Sequence, residues 1–257
     1  MYSVRKNTTR HGNTVFNILL FNLVVTAVLI WQFGINYLVI FCSSIIIHLI
    51  IETPLTLSGL RKSVVYLYGR KMPRVVDLFL RALVEGPGLC VPAFFVADQF
   101  FAGKILTGVA GAALMVGFGA LYMGLSDRRD LRLIPPGEEP LVSRRAMTQP
   151  GLIMFLALVN TGSLAALFLM PAPYRTHAFT YLMAYSGLVM LFYFINYNLG
   201  VRMVEFYDHE RGEFTRPGPI FQAAALAYDS IYEMGLMVSP AYWVMFYLGV
   251  FHFTTIA

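Results

Sequence analysis

Charge is scarce in this chain. Asp, Glu, Lys and Arg make up 13% of its 257 residues, about half the share of a soluble globular domain. With 58% hydrophobic residues, that scarcity excludes a disordered chain, a nucleic-acid-binding domain and an ordinary soluble enzyme. Cysteine is nearly absent as well. Cys42 and Cys90 both fall in apolar runs, which argues against a disulfide framework or a thiolate metal site. Lys6, Lys62, Lys71 and Lys104 all lie outside the apolar runs, leaving no lysine to carry retinal. Only His48 lies deep in a run, so paired-histidine haem ligation has no candidates. No internal repeat, direct or inverted, and no low-complexity tract is visible.

What remains is long apolar runs. A spanning helix needs roughly 20 mostly apolar residues, and such runs occur at 14–33, 35–60, 77–98, 105–126, 150–170, 178–200 and 219–257. The expected fold is therefore all-α: a polytopic membrane helix bundle of about seven transmembrane helices, one domain over 1–257. The first run follows a basic segment, has no small-residue cleavage site and reads as a retained helix. The last is too long for one crossing, and Ser239-Pro240 is the expected break.

The cations set the orientation. Of the 19 Lys and Arg, sixteen lie in four segments: before residue 11, and in 61–76, 127–148 and 201–217. Only Lys104 and Arg175 fall between the other ends of the runs, and Arg81 lies within one. The positive-inside rule then predicts a cytoplasmic N-terminus, in a bacterial inner membrane or the endoplasmic reticulum. The fourth run carries small residues (Gly108, Ala112, Ala113, Gly117, Ala120, Gly124) at mostly helical spacing. These suit close packing inside the bundle or contact with a homo- or hetero-oligomeric partner.

Ionisable groups inside a membrane are costly, so each demands an account. His48 and Glu52 are four residues apart and share one helical face. Arg81 and Glu85 repeat that spacing, which predicts an intrahelical pair, as do Asp229 and Glu233 beside Tyr228 and Tyr232. Counting 1.5 Å per residue from the cation-rich boundary puts Glu52, Glu85 and Asp229 all roughly 12–15 Å deep. Asn22 and Asn160 sit at similar depth and Asn196 somewhat shallower. The expectation is one polar pocket. Its candidate catalytic residues are Glu52, His48, Glu85 and Asp229, with Arg81, Asn160, Asn196, Tyr228, Tyr232 and Glu233 as substrate contacts. Against these acids the pocket holds only Arg81 and His48, so the solute should be neutral or cationic. No cofactor or metal is expected: Asp208, Glu210 and Glu213 beside His209 match no compact ligand spacing and read as solvated surface. His252 reads as a packing or interfacial residue near the outer face.

A carboxyl group in apolar surroundings can stay protonated and act as an acid, with histidine to relay the proton. Aromatic faces attract cations. Together these suit protonation of an alkene or epoxide in a lipid. The stretch Ile47-His48-Leu49-Ile50-Ile51-Glu52 resembles the His-x-x-x-Glu helix of the emopamil-binding-protein family of sterol isomerases. That resemblance implies proton handling by His48 and Glu52, with Glu85 before Gly86-Pro87 as the next acid. The layout is also similar to the seven-span membrane terpene cyclases, which implies essential roles for Glu52 and Asp229. The chain departs from the isomerases in having Pro240 ahead of Trp243, and from the cyclases in having Ile51 before the glutamate. Three functions are carried forward: an isomerase or cyclase acting on an isoprenoid- or sterol-like lipid, a proton- or cation-coupled transporter, and a non-catalytic subunit of a larger membrane complex. The partners expected are the bilayer and an apolar lipid-like substrate.

Overall fold

The computed structural model describes residues 1–62, 64–236 and 240–249; the side chains of Glu233, Met234 and Ala241, and all of His252, lie outside that description. Within it, six helices are long and apolar enough to cross a membrane: α1 Thr14–Phe33, α2 Asn36–Leu57, α3 Arg74–Phe101, α4 Ile105–Arg132, α5 Pro150–Phe168 and α6 Ala172–Asn198. The seventh run is divided. Helix α7, Pro219–Tyr228, passes directly into a π-helical stretch, Asp229–Leu236, and Pro240 opens α8, Pro240–Tyr247. Proline fits the first turn of a helix, where its missing N–H costs no hydrogen bond.

Helix α3 is the hub. Of its most apolar stretch 61% is buried, against 28–39% in the other five, and it packs on α1, α2, α4 and α6. Glycine permits that closeness. A Cβ on Gly86 would meet the Ser44 carbonyl oxygen of α2 at 3.0 Å, and one on Gly88 would meet Asn22 of α1 at 2.9 Å. The outward faces carry Val24, Trp31, Ile50, Leu114, Leu158 and Met183, all well exposed. In water such a surface would aggregate, whereas in lipid it is the ordinary state. The small residues of α4 are mostly used inside the bundle. Gly108 fits against Val96 and Gln99 and Gly124 against Leu199, while no described residue approaches Gly117.

The cation-rich segments are not loops, and here the structure adds to the helical expectation. Strands β1 Tyr2–Thr9, β4 Leu141–Ala146, β5 Arg202–Asp208 and β6 Glu213–Thr215 form an antiparallel sheet in the order β4-β1-β5-β6. A hairpin of β2 Tyr66–Leu67 and β3 Arg70–Lys71 is tied to the end of β1 by Gly69 N–H donating to the His11 carbonyl at 3.1 Å. All four cation-rich segments therefore gather at one end of the bundle. The register pairs Arg5 with Arg145 on one side and with Val204 on the other. Side chains alternate along a strand, so Arg5, Asn7, Ser143, Arg145 and Arg202 share the face that looks into the bundle. Beyond the short β6, Gln222 of α7 takes over as a ladder partner. Its amide accepts from Val204 N–H at 2.9 Å and donates to the Val204 carbonyl at 2.6 Å, satisfying backbone groups that burial would otherwise orphan.

Candidate functional site

Two arginines directly opposite each other in a ladder repel. Arg5 and Arg145 tolerate it because helices bring carboxylates to both. Arg145 donates through Nη2 to Glu52 at 2.7 Å and through Nη1 to Glu85 at 2.8 Å. Arg5 donates to Asp229 and to the Tyr193 hydroxyl, with its guanidinium 5.1 Å from the Tyr193 ring centre. The three acids on α2, α3 and the π-helical stretch thus meet through two neighbouring arginines of the sheet.

Glu52 is fully enclosed. Besides Arg145, its oxygens accept from Arg61 and, at 3.2 Å, from Arg81 Nη1. Arg61 reaches back because Gly59, at φ +74, turns the chain after α2 and lets Arg61 N–H bond the Leu55 carbonyl at 2.9 Å. Burial, then the proximity of Arg145, pushes the Arg61 pKa down to about 10. Burial opposes the charge on Arg5, but Asp229, Tyr193 and Glu85 together outweigh it and hold the pKa above the usual arginine value. Arg81 does not pair with Glu85 as its spacing suggests. Its partners are Asp77 at 3.0 Å, one turn the other way, and Glu52. The expectation of a pocket with only Arg81 and His48 as cations is likewise corrected: Arg5, Arg61 and Arg145 are there too, delivered by the sheet and the turn after α2.

A cavity of about 210 Å³ opens beside this cluster, between α1, α3, α4, α6 and the inward face of the sheet. Its polar end holds Arg5, Arg81, Glu85, Arg145, Asn196 and Arg202. Its walls within the bundle are mostly apolar, including Ile18, Val25, Met115, Val116 and Met123, with Asn22 and Thr26 of α1 among them. Glu85 borders it with its side chain 30% exposed. Behind Glu85 stands His48, its Nε2 4.0 Å from the carboxylate; the ring is buried and neither nitrogen has a hydrogen-bond partner among the described residues.

The other expected contacts lie elsewhere. Asn160 donates to the Tyr232 carbonyl at 3.0 Å and fastens α5 to the π-helical stretch. The Tyr232 hydroxyl donates to the Ile153 carbonyl at 3.2 Å, and that of Tyr228 points to the Met147 carbonyl. Neither ring borders the cavity. Of the expected contacts, Arg81 and Asn196 do, with the Asn196 amide donating to the Phe192 carbonyl at 2.9 Å. The Glu233 side chain is outside the described residues.

Two features escaped the sequence reading. One is Arg202, held over the rings of Tyr193 and Phe192 at 4.6 and 5.0 Å. The other lies at the far end of the bundle. His177, fully buried, bonds Asp98 at 3.1 Å and the Tyr242 hydroxyl at 2.9 Å, and Tyr37 donates to Asp98 at 2.8 Å. Asp98 and His177 sit at the edges of their apolar runs, where polar residues look ordinary. Among the described residues no three His, Cys, Asp or Glu converge to hold a metal. The chain matches no known family model, and no curated protein or solved structure matches it.

Proposed function

We propose that this integral membrane protein works by proton transfer on an isoprenoid- or sterol-like lipid held in the cavity, as an isomerase or cyclase, with Glu85 as the group that exchanges the proton. The contrast between two glutamates carries the reading. Glu52 accepts from three guanidinium groups and has no exposed surface. An ionised carboxylate, acceptor-only, matches that setting and a carboxylic acid does not. Among the described residues Glu85 has one arginine partner, faces the cavity, and is backed by a histidine whose two nitrogens make no hydrogen bond. That is where a proton can be held and passed on. The apolar walls favour a hydrocarbon substrate and keep water from a reactive intermediate.

The test is deuterium incorporation. The purified chain in neutral-lipid nanodiscs, in D₂O, is given a panel of isoprenoid and sterol lipids read by mass spectrometry. General acid–base catalysis contributes about 10²–10⁴-fold, so Glu85→Gln should lose incorporation by that factor while its thermal melt stays close to wild type. Wild-type incorporation by the variant removes Glu85 from the mechanism.

A proton-coupled carrier is the second reading, favoured by the Asp98–His177–Tyr242 group, which places ionisable side chains at the opposite end too. In that case proteoliposomes should move protons with the solute, and Asp98→Asn should stop them.

A further inference from the structure

Arg202 is the cation the ion pairs leave over. Among the described residues, the polar end of the cavity presents four arginines, Arg5, Arg81, Arg145 and Arg202, against two carboxylates, Glu85 and Asp127. Behind the wall, Asp229 neutralises Arg5, Asp77 joins Glu52 on Arg81, and Glu52 joins Glu85 on Arg145. The Arg202 guanidinium makes no hydrogen bond or ion pair with any described residue; it rests on the rings of Tyr193 and Phe192. A cation stacked on aromatic faces with its donors unspent is a seat for an anion.

One wall of the cavity is thin toward the lipid-facing surface. A groove on the lipid-facing surface between α1 and α4 shares Ile18, Phe21 and Gly119 with the cavity wall. Gly119 has no side chain to fill it, and a Cβ there would already touch Ile18 and Phe21 at 3.7–3.8 Å. Two contacts bridge the groove: Asn17 donating to the Tyr122 hydroxyl at 2.7 Å, and the Phe21 and Phe118 rings at 5.4 Å. Size matters as well. At about 210 Å³ the cavity is below the roughly 300–1,000 Å³ of sites that engulf a drug-sized ligand, so a long-chain lipid fits only in part.

We infer that the cavity seats an amphiphile with an anionic, phosphate-like head group, its head against Arg202 and its chain leaving into the bilayer between α1 and α4. The inference rests on the cavity being a lipid site and narrows the substrate class from neutral hydrocarbon to anionic amphiphile. Its test reads binding alone, so it succeeds or fails whether or not any proton is transferred.

Full-length protein in phosphatidylcholine nanodiscs is titrated with hexadecyl phosphate, hexadecanol and inorganic phosphate, with empty nanodiscs as background. Hexadecyl phosphate should bind, and hexadecanol should bind about tenfold more weakly or worse. Inorganic phosphate should show no binding over the same range. Arg202→Gln should weaken hexadecyl phosphate by about tenfold and leave hexadecanol unchanged, while Arg202→Lys keeps part of the affinity. Gly119→Leu, which puts a side chain between α1 and α4 at Ile18 and Phe21, should weaken the long-chain phosphate. Equal binding of the alcohol and the phosphate ester overturns the proposal, as does wild-type affinity in Arg202→Gln. Inorganic phosphate binding as tightly as its ester would mean an ion site and overturn the lipid assignment. If Arg202→Gln does not fold, the comparison of ester with alcohol on the wild-type protein decides alone.

Discussion

Three guanidinium groups on one glutamate make a buried charge network, and removing its anion strands the cations. Replacing Glu52 by Gln leaves the buried Arg61, Arg81 and Arg145 sharing one carboxylate fewer. Breaking a buried pair from one side costs about 3–5 kcal/mol, so Glu52→Gln should lower the thermal midpoint sharply and reduce the yield of folded protein. Glu85→Gln should cost much less, because Arg145 keeps Glu52 and the Glu85 side chain is partly exposed. A Glu52→Gln variant as stable as wild type would show that the cage is not structural. The acids were legible as special because any ionisable group in an apolar run stands out. Apart from Arg81, their partners were not. Arg5, Arg61 and Arg145 sit in basic segments, where a cation that orients the protein and one that folds inward look the same.

Among the elements, the sheet has most to explain. Its outer face carries Glu205 between Lys6 at 2.7 Å and Arg144 at 2.9 Å, joining β4, β1 and β5 by side chains as well as by backbone. Burial alone would raise the Glu205 pKa, but the hydrogen bonds and charges of Lys6 and Arg144 together outweigh it and hold the group below its ordinary value. A carboxyl group with a lowered folded-state pKa stabilises the protein above its unfolded-state value, about 4.3. That contribution fades as pH falls through the folded-state value. Melting temperature should therefore drop on acidification below about pH 4.3, and Glu205→Gln should flatten that part of the profile and start lower at neutral pH. An unchanged profile would mean Glu205 contributes nothing to the clasp. The strands were hard to read because each is short and its partners are remote. Val4 pairs with Ala146 and Glu205, contacts over well more than a hundred residues that no local pattern announces. The π-helical stretch, which carries Asp229 at its start, has no sequence signature either.

For the molecule as a whole, gathering the basic segments at one end makes orientation testable. The positive-inside rule predicts that this end is cytoplasmic. A cysteine introduced at the exposed Glu138 or Glu210 should react with a membrane-impermeant maleimide only from the cytoplasmic side, and one at the exposed Leu169 only from the other; the reverse pattern would invert the assignment. That the chain builds a bundle of membrane-length helices was determined by the sequence alone. Apolar runs of about 20 residues have few other stable fates, since every backbone polar group in lipid must be satisfied within its own helix. So was the presence of buried acids in the second and third helices, because their cost makes them visible. Only the tertiary structure decided what surrounds those acids. Ion pairs act over a few ångströms of space without regard to distance along the chain, and the sheet that supplies Arg5, Arg145 and Arg202 exists only once three remote segments have paired. Its alternation turns those arginines inward, and so one glutamate is locked in the core while its neighbour borders the cavity.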